Sequence, residues 1–465
     1  MMAMGRTALL LACAFSGWLA GPALAQSLST APLDAVLDGE PVRILAEGLQ
    51  PNEEVSLVAE RWYAGLSASQ PPARRFRSQI QLRADAAGRI DLDRMAPLSG
   101  SYQGIDPRGL FWSMAPLSDV AVASGPVDTT RVDLILQAKA PEPLRTSIRL
   151  MPALPSVEVT PVAELPGAVF ARLPGPARRP ALIVLGGSEG GGSIADAAAP
   201  FASHGFAVLA LPYFSPPDEQ GNQELPGLPA GMVELPVEFL DRAHAWLATR
   251  DEVDIGRVGV HGTSAGATLA LLAAVHLDWV DAVVASVPSD VVFDGWGPGT
   301  AEGSRSAFSV RGKPLPFVPQ IGYEEEAARA ERGLEVRVRK VYERGRAARP
   351  DLAVAARIPV ERIRGAVMVI GSYDDQMWPS GMMAQQLAER RMEAGLPVTA
   401  LLFADASHLL YDTGYAPTTT RNLGLRKVGG SAVADARAQA MAWPATLRFL
   451  AESLGVSRHA SGAVD

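Results

Sequence analysis

The sequence predicts a β-sandwich followed by a doubly wound, mostly parallel α/β domain. Two observations lead there: a change of hydrophobic period near residue 164, and a glycine-flanked serine set between a strand and a helix. A third feature precedes both, an apolar leader at the N-terminus that must be set aside before fold reasoning.

The leader is read over residues 1–25. Arg6 supplies a positive start, Thr7 to Ala20 form an apolar run, and Ala23-Leu24-Ala25 offers a small-x-small cleavage pattern before Gln26. That run is too short to span a bilayer comfortably. Export to a periplasmic or extracellular compartment is therefore expected. The only cysteine, Cys13, lies inside the leader, so a mature chain has neither a disulfide nor a thiol nucleophile.

From about Gln26 to Ala163 short alternating runs recur without a helical period. Val42-Arg43-Ile44-Leu45, Val55-Ser56-Leu57-Val58 and Ile80-Gln81-Leu82-Arg83 are examples, and Gly88 marks a hairpin-like turn before Ile90-Asp91-Leu92. Strands at this spacing argue for a sandwich. Pro152, Pro155 and Pro161 mark its exit.

From Glu164 to the C-terminus, apolar strand runs alternate with amphipathic helical periods. The strands are expected at Ala181 to Leu185, Ala207 to Leu211, Val258 to Val260, Ala282 to Val287, Ala366 to Ile370 and Thr399 to Phe403. Helices are expected at Glu234 to Ala248, Ala265 to Val275, Gly381 to Ala394 and Ala434 to Leu454. Near-continuous apolar strands alternating with helices predict a parallel sheet covered on both faces. The charged stretch Glu324 to Arg349 reads as a solvated helical face, with a cap over the site as the alternative.

Composition narrows the function. Apolar residues at 48% and charged residues at 20% suit a globular protein, and a net charge of −8 disfavours a nucleic-acid partner. The six histidines show no metal-ligand spacing, so no metal and no cofactor are expected.

The chemistry concentrates at Gly262-Thr263-Ser264-Ala265-Gly266, which follows a strand and opens a helix. That is the context of a nucleophile elbow: the serine sits on a tight turn, and the positions two residues away must be small. A serine hydroxyl needs a histidine to take its proton. Only His276, His408 and His459 follow Ser264. His276 lies about three turns along the same helix and cannot fold back, and His459 falls in the tail, which leaves His408. The acid is sought after the strand Ala366 to Ile370, where Asp374 and Asp375 both lie; Asp375 is preferred, with Asp374 as a support of the turn. The oxyanion hole requires two backbone N–H groups. Ala265 is expected to supply one and Ser188, in the glycine-rich loop Gly186 to Gly192, the other, with Glu189 as its neighbour in contention.

These motifs resemble those of the acyl-CoA thioesterase and bile acid-CoA:amino acid N-acyltransferase family. The resemblance rests on Gly88-Arg89-Ile90-Asp91-Leu92, the segment Ser99 to Met114, Leu235-Pro236-Val237-Glu238-Phe239-Leu240, the Ser264 pentapeptide, Asp374 to Ser380, His408, and Gly429-Gly430. It implies a sandwich followed by an α/β-hydrolase domain, with Ser264, Asp375 and His408 as catalytic triad. In that family serine at the nucleophile goes with hydrolysis and cysteine with amino-acid conjugation. The resemblance thus implies a small-molecule acyl thioester or ester as substrate, hydrolysed through an acyl-enzyme. Transfer of the acyl group to an amine or alcohol, or a non-catalytic exported binding protein, are the alternatives. Arg337, Arg339, Lys340, Arg344, Arg346 and Arg349 are candidates for CoA phosphates, although the glutamates among them favour a solvated face.

Overall fold

A computed structural model describes residues 25–64, 73–117, 123, 125–218, 220–410, 412–420 and 424–456. Residues 1–24 of the leader, including Cys13, and His459 lie outside the described residues. Among the described residues no helix is long and apolar enough to cross a membrane.

The N-terminal part folds as two facing sheets. One joins Ser27–Ala31, Arg43–Glu47 and Ile90–Asp91. The other is built on Glu54–Tyr63, Arg74–Arg83, Arg131–Gln137 and Leu144–Met151, with shorter strands at its edges. Arg131–Gln137 alternates strictly, and its Leu134 and Leu136, with Ile148 and Leu150, share one core with Ile44 and Ala46. This is the period-2 arrangement in which one face is buried and the other wet.

The second part is an eight-stranded sheet. Its strands are β1 (Glu158–Pro161), β2 (Val169–Arg172), β3 (Arg179–Leu185), β4 (Ala207–Ala210), β5 (Val253–Thr263), β6 (Ala282–Ser286), β7 (Ala366–Ser372) and β8 (Thr399–Phe403). They lie in the order β1-β2-β4-β3-β5-β6-β7-β8, with β2 antiparallel to both its neighbours, β1 and β4, and the other pairs parallel. The sheet therefore begins at Glu158, within the segment that sequence patterning assigned to the sandwich. A short hairpin pairs β1 with β2, so this edge is fixed by pairing, which a local hydrophobic period does not report.

Alternate residues of each central strand enter different cores. Ile183, Val283 and Val369 face one side, while Leu182, Val184, Val284, Met368 and Ile370 face the other. The first side is covered by helix α1 (Ala265–His276) and helix α2 (Ser380–Glu393). The second is covered by helix α3 (Ala432–Leu454), through Ala438, Ala442, Leu450 and Leu454. Residues Ala265 to Ala274 of α1 are all buried, as expected of a helix apolar all round. The strand order reverses between β3 and β5, and the crevice beyond their C-terminal ends is where such sheets bind ligands.

The segment Glu324 to Arg349 forms two helices, Tyr323–Glu331 and Val338–Ala348. It is not a free solvated face. Glu326 is buried between Arg329 and Arg337, and Arg346 pairs with buried Asp290. Of the proposed phosphate-binding cations, Arg337, Arg339, Arg344, Arg346 and Arg349 all face carboxylates already. These five arginines are thus already neutralised by carboxylates of the chain.

The two parts share a core. Tyr415 and Ala436, from beyond β8, pack among the sandwich residues, and Phe111 meets the Tyr415 ring edge-on at 4.9 Å. The Tyr415 hydroxyl accepts from the Val42 amide at 3.0 Å, and Arg108 lies over its ring. The segment from Ser99 to Met114 makes this joint. Its Leu110, Phe111 and Trp112 are buried, and Asp106 anchors the Trp112 indole at 2.8 Å.

Candidate active site

Ser264 ends β5 on a turn that few residues tolerate. Its φ of 56° and ψ of −120° lie outside the ordinary regions, which stores strain at a position that α1 then over-determines. The flanking glycines are required by packing. A Cβ on Gly262 would collide with the Gly266 carbonyl, and one on Gly266 would collide with the Gly186 carbonyl. The pentapeptide thus presses β5, α1 and the β3 loop together.

His408 reaches Ser264 from the loop after β8. Its Nε2 lies 3.0 Å from Ser264 Oγ and its Nδ1 lies 2.7 Å from Asp375 Oδ2. Asp375 is fully buried, and its other oxygen accepts the Met377 and Trp378 amides at 2.8 and 3.3 Å. Those bonds fix which oxygen faces the imidazole. Asp374 points elsewhere: its carboxylate accepts from the Gly430 amide at 2.9 Å and from the Gln376 side chain at 3.0 Å. Sequence alone leaves the two aspartates close rivals; the structure brings Asp375, and not Asp374, to the histidine.

Several further groups hold this half of the site. The Val428 carbonyl accepts both the Gln376 and the His408 amides, tying the acid loop to the histidine loop. Gly429 and Gly430, at φ of 85° and 66°, run so close to Asp374 and Ser407 that a Cβ on either would clash with backbone. Arg339 donates through Nη1 to the Tyr373 and Asp375 carbonyls at 2.9 and 2.8 Å, which gives the charged helix 338–348 a place in the site. Thr418 and Thr419 bond back to Trp112 and Met114, so the sandwich braces the chain just past His408.

The expected oxyanion donors lie at one cavity with Ser264. Ala265 opens α1, and Ser188 lies in the loop after β3; both line the same cavity as Ser264 and His408. Neither amide donates to a partner among the described residues. The Tyr213 hydroxyl pins this loop from below through the Gly186 and Gly187 carbonyls at 3.0 and 3.1 Å. The Glu189 carboxylate turns back onto the Gly187 amide at 2.8 Å. Farther along the loop, Gly192 donates to the Glu224 carboxylate at 3.1 Å. An acidic side chain thus holds this part of the loop.

The cavity is small, about 60 Å³, and is lined by Met232, Phe293, Trp296, Phe308, Tyr342 and Trp378 besides the polar residues. Trp378 stands edge-on to the His408 ring at 5.9 Å, and its indole donates to the Val287 carbonyl at 3.0 Å. Among the described residues no group of three or more His, Cys, Asp or Glu side chains is placed to hold a metal ion.

Known proteins match this chain over nearly its whole length. The family model described as "BAAT / Acyl-CoA thioester hydrolase C terminal" matches residues 235–456, and "Acyl-CoA thioester hydrolase/BAAT N-terminal region" matches residues 39–164. Human acyl-coenzyme A thioesterase 1 is 27% identical over 458 residues, covering 93% of this chain and 98% of its own. Mouse peroxisomal succinyl-coenzyme A thioesterase shares the same identity and coverage. Mouse acyl-coenzyme A amino acid N-acyltransferase 1 is 27% identical over 447 residues, covering 92% and 97%. With both family models matched in order across the sandwich and the sheet, the chain belongs to the acyl-CoA thioester hydrolase/BAAT family.

Proposed function

We propose that this protein is a serine hydrolase of acyl thioesters or esters, acting through an acyl-enzyme on Ser264. The observation that carries this reading is the continuous hydrogen-bonded line from Ser264 through His408 to buried Asp375. His408 takes the Ser264 proton as Oγ attacks the acyl carbonyl. Asp375 holds the ring with Nδ1 protonated and stabilises the imidazolium that forms. The tetrahedral oxyanion is met by the Ala265 and Ser188 amides, the former at the N-terminus of α1. The C–S or C–O bond then breaks, His408 protonates the departing thiolate or alkoxide, and water, deprotonated by the same histidine, releases the acid and restores Ser264.

Family membership supports an acyl-CoA-like substrate, since the relatives are named as acyl-coenzyme A thioesterases and N-acyltransferases. A serine at the nucleophile supports hydrolysis over amine transfer, because an oxygen ester is less reactive toward amines than a thioester. The cavity volume supports short acyl groups. The leader read at residues 1–25 supports export, and N-terminal sequencing of protein recovered from its host should find Gln26 first.

The test is free-thiol release from an acyl-CoA chain-length series by the wild type and its Ser264→Ala variant. Saturable turnover of short chains, absent in the variant, is the expected outcome. Turnover that survives Ser264→Ala would overturn the assignment of the nucleophile.

A further inference from the structure

The substrate cavity contains a carboxylate that hydrolysis does not use. Asp294 is only 4% exposed and lines the same cavity as Ser264 and His408. Its Oδ2 accepts the Gly303 amide at 2.7 Å and its Oδ1 accepts the Gln320 amide at 2.8 Å. The Gln320 side chain and the Asp294 backbone amide also approach the carboxylate, so the groups that hold it are neutral donors. No arginine, lysine or histidine among the described residues forms an ion pair with it. A buried charge without a counter-ion is costly, and proteins keep such groups where a ligand completes them. Burial pushes the Asp294 carboxyl up to about 6, the direction that a bound cation would reverse.

Aromatic rings line the same cavity. Phe293 and Tyr342 meet edge to face at 4.7 Å, and Tyr342 and Trp378 at 5.4 Å, with Trp378 then turned against His408. Trp296 closes another wall and is 38% exposed. The Phe293–Tyr342, Tyr342–Trp378 and Trp378–His408 pairs meet at 75°, 73° and 75°, so no two successive rings stack flat. Aromatic faces around a carboxylate are the chemistry by which proteins hold alkylated ammonium groups.

We propose that Asp294, with Phe293, Trp296, Tyr342 and Trp378, forms a cation subsite that selects acyl groups carrying a quaternary ammonium. The assignment to the acyl group rests on the hydrolase reading; the subsite itself does not. A neutral alkyl group of the same shape would leave Asp294 buried and unpaired, and should be discriminated against for that reason.

Two measurements on the full chain test this. In the first, tetramethylammonium is titrated calorimetrically at pH 8, with tert-butanol as its neutral counterpart, into wild type and Asp294→Asn. Tetramethylammonium should bind wild type at least about tenfold more tightly than it binds the variant or than tert-butanol binds wild type. In the second, kcat/KM is compared for thioesters of 4-(trimethylammonio)butanoate and of 5,5-dimethylhexanoate, which exchanges nitrogen for carbon. Wild type should prefer the cationic acyl group by about tenfold or more, a preference reduced to within about twofold in Asp294→Asn. Binding of tetramethylammonium with no turnover of either thioester would defeat the hydrolase reading and leave the subsite standing. Turnover of both at equal kcat/KM, with no tetramethylammonium binding, would overturn the subsite and leave the hydrolase standing. Should Asp294→Asn not fold, the two wild-type titrations alone decide: equal affinity for tetramethylammonium and tert-butanol overturns the proposal.

Discussion

The two halves of the site are built in opposite ways. The Ser264 side is local: five consecutive residues make the turn, and its glycines are dictated by contacts with Gly266 and Gly186. The Asp375–His408 side is assembled from distant segments. Its acid follows β7, its base follows β8, and Val428, Gly430 and Arg339 hold the two together. Even the sandwich takes part, through Trp112 and Met114. A compact motif fixes the group that must be strained. A distributed scaffold fixes the groups that must be aligned, because the second task needs bonds from several directions.

This contrast can be broken at either side. The largest effect is expected from Ser264→Ala, which should lower kcat by about 10⁴ or more with an unchanged melting temperature. Asp375→Asn should follow at about 10³ to 10⁴, through loss of the correct histidine tautomer, whereas Asp374→Asn should cost only about tenfold. Steady-state kinetics on the pair thus sharpens the choice of acid. Equal losses from both would mean that the loop, and not the carboxylate facing His408, sets the rate.

Arg339→Met probes the distributed side without touching the reacting atoms. Loss of its bonds to the Tyr373 and Asp375 carbonyls should displace the acid loop and lower kcat by about ten- to a hundredfold, with KM little changed. A fall confined to thermal stability would reduce Arg339 to a structural tie.

The smallest effect concerns stability and pH. Asp294 has its carboxyl raised from 3.8 to about 6 by burial, so the folded protein holds that proton longer than the unfolded chain. Stability from this group is therefore lost as pH rises between about 4 and 6. Between pH 4 and pH 7 the stability difference should shift in favour of Asp294→Asn by on the order of 2 kcal/mol, as read by denaturant unfolding. A pH-independent difference would show that Asp294 is not desolvated in solution.

The same contrast explains what could be read from the sequence. Ser264 and the buried strands are legible because their signals are short-range: a sterically required pentapeptide, and near-continuous apolar runs along β3, β6 and β7. His408 was reached through chain order and by discarding His276 and His459. The sequence leaves Asp374 and Asp375 as rivals, because two adjacent carboxylates differ only in which way the turn points them. Arg339 looked like part of a solvated charged face. Its role depends on helix 338–348 folding over the acid loop, which no local period encodes. The first strand of the sheet was missed for a related reason, since Glu158–Pro161 is fixed by its partner in β2. Asp294 gave no signal at all, because only tertiary packing buries it beside Ser264.

The most direct test of the central claim is to trap the acyl-enzyme. Wild-type protein mixed with a short-chain acyl thioester and acid-quenched within the first turnover should carry one acyl mass increment. Peptide mapping should place it on Ser264, and His408→Ala should abolish it. An increment on any other residue, or turnover with no increment in the wild type at any quench time, would contradict the account.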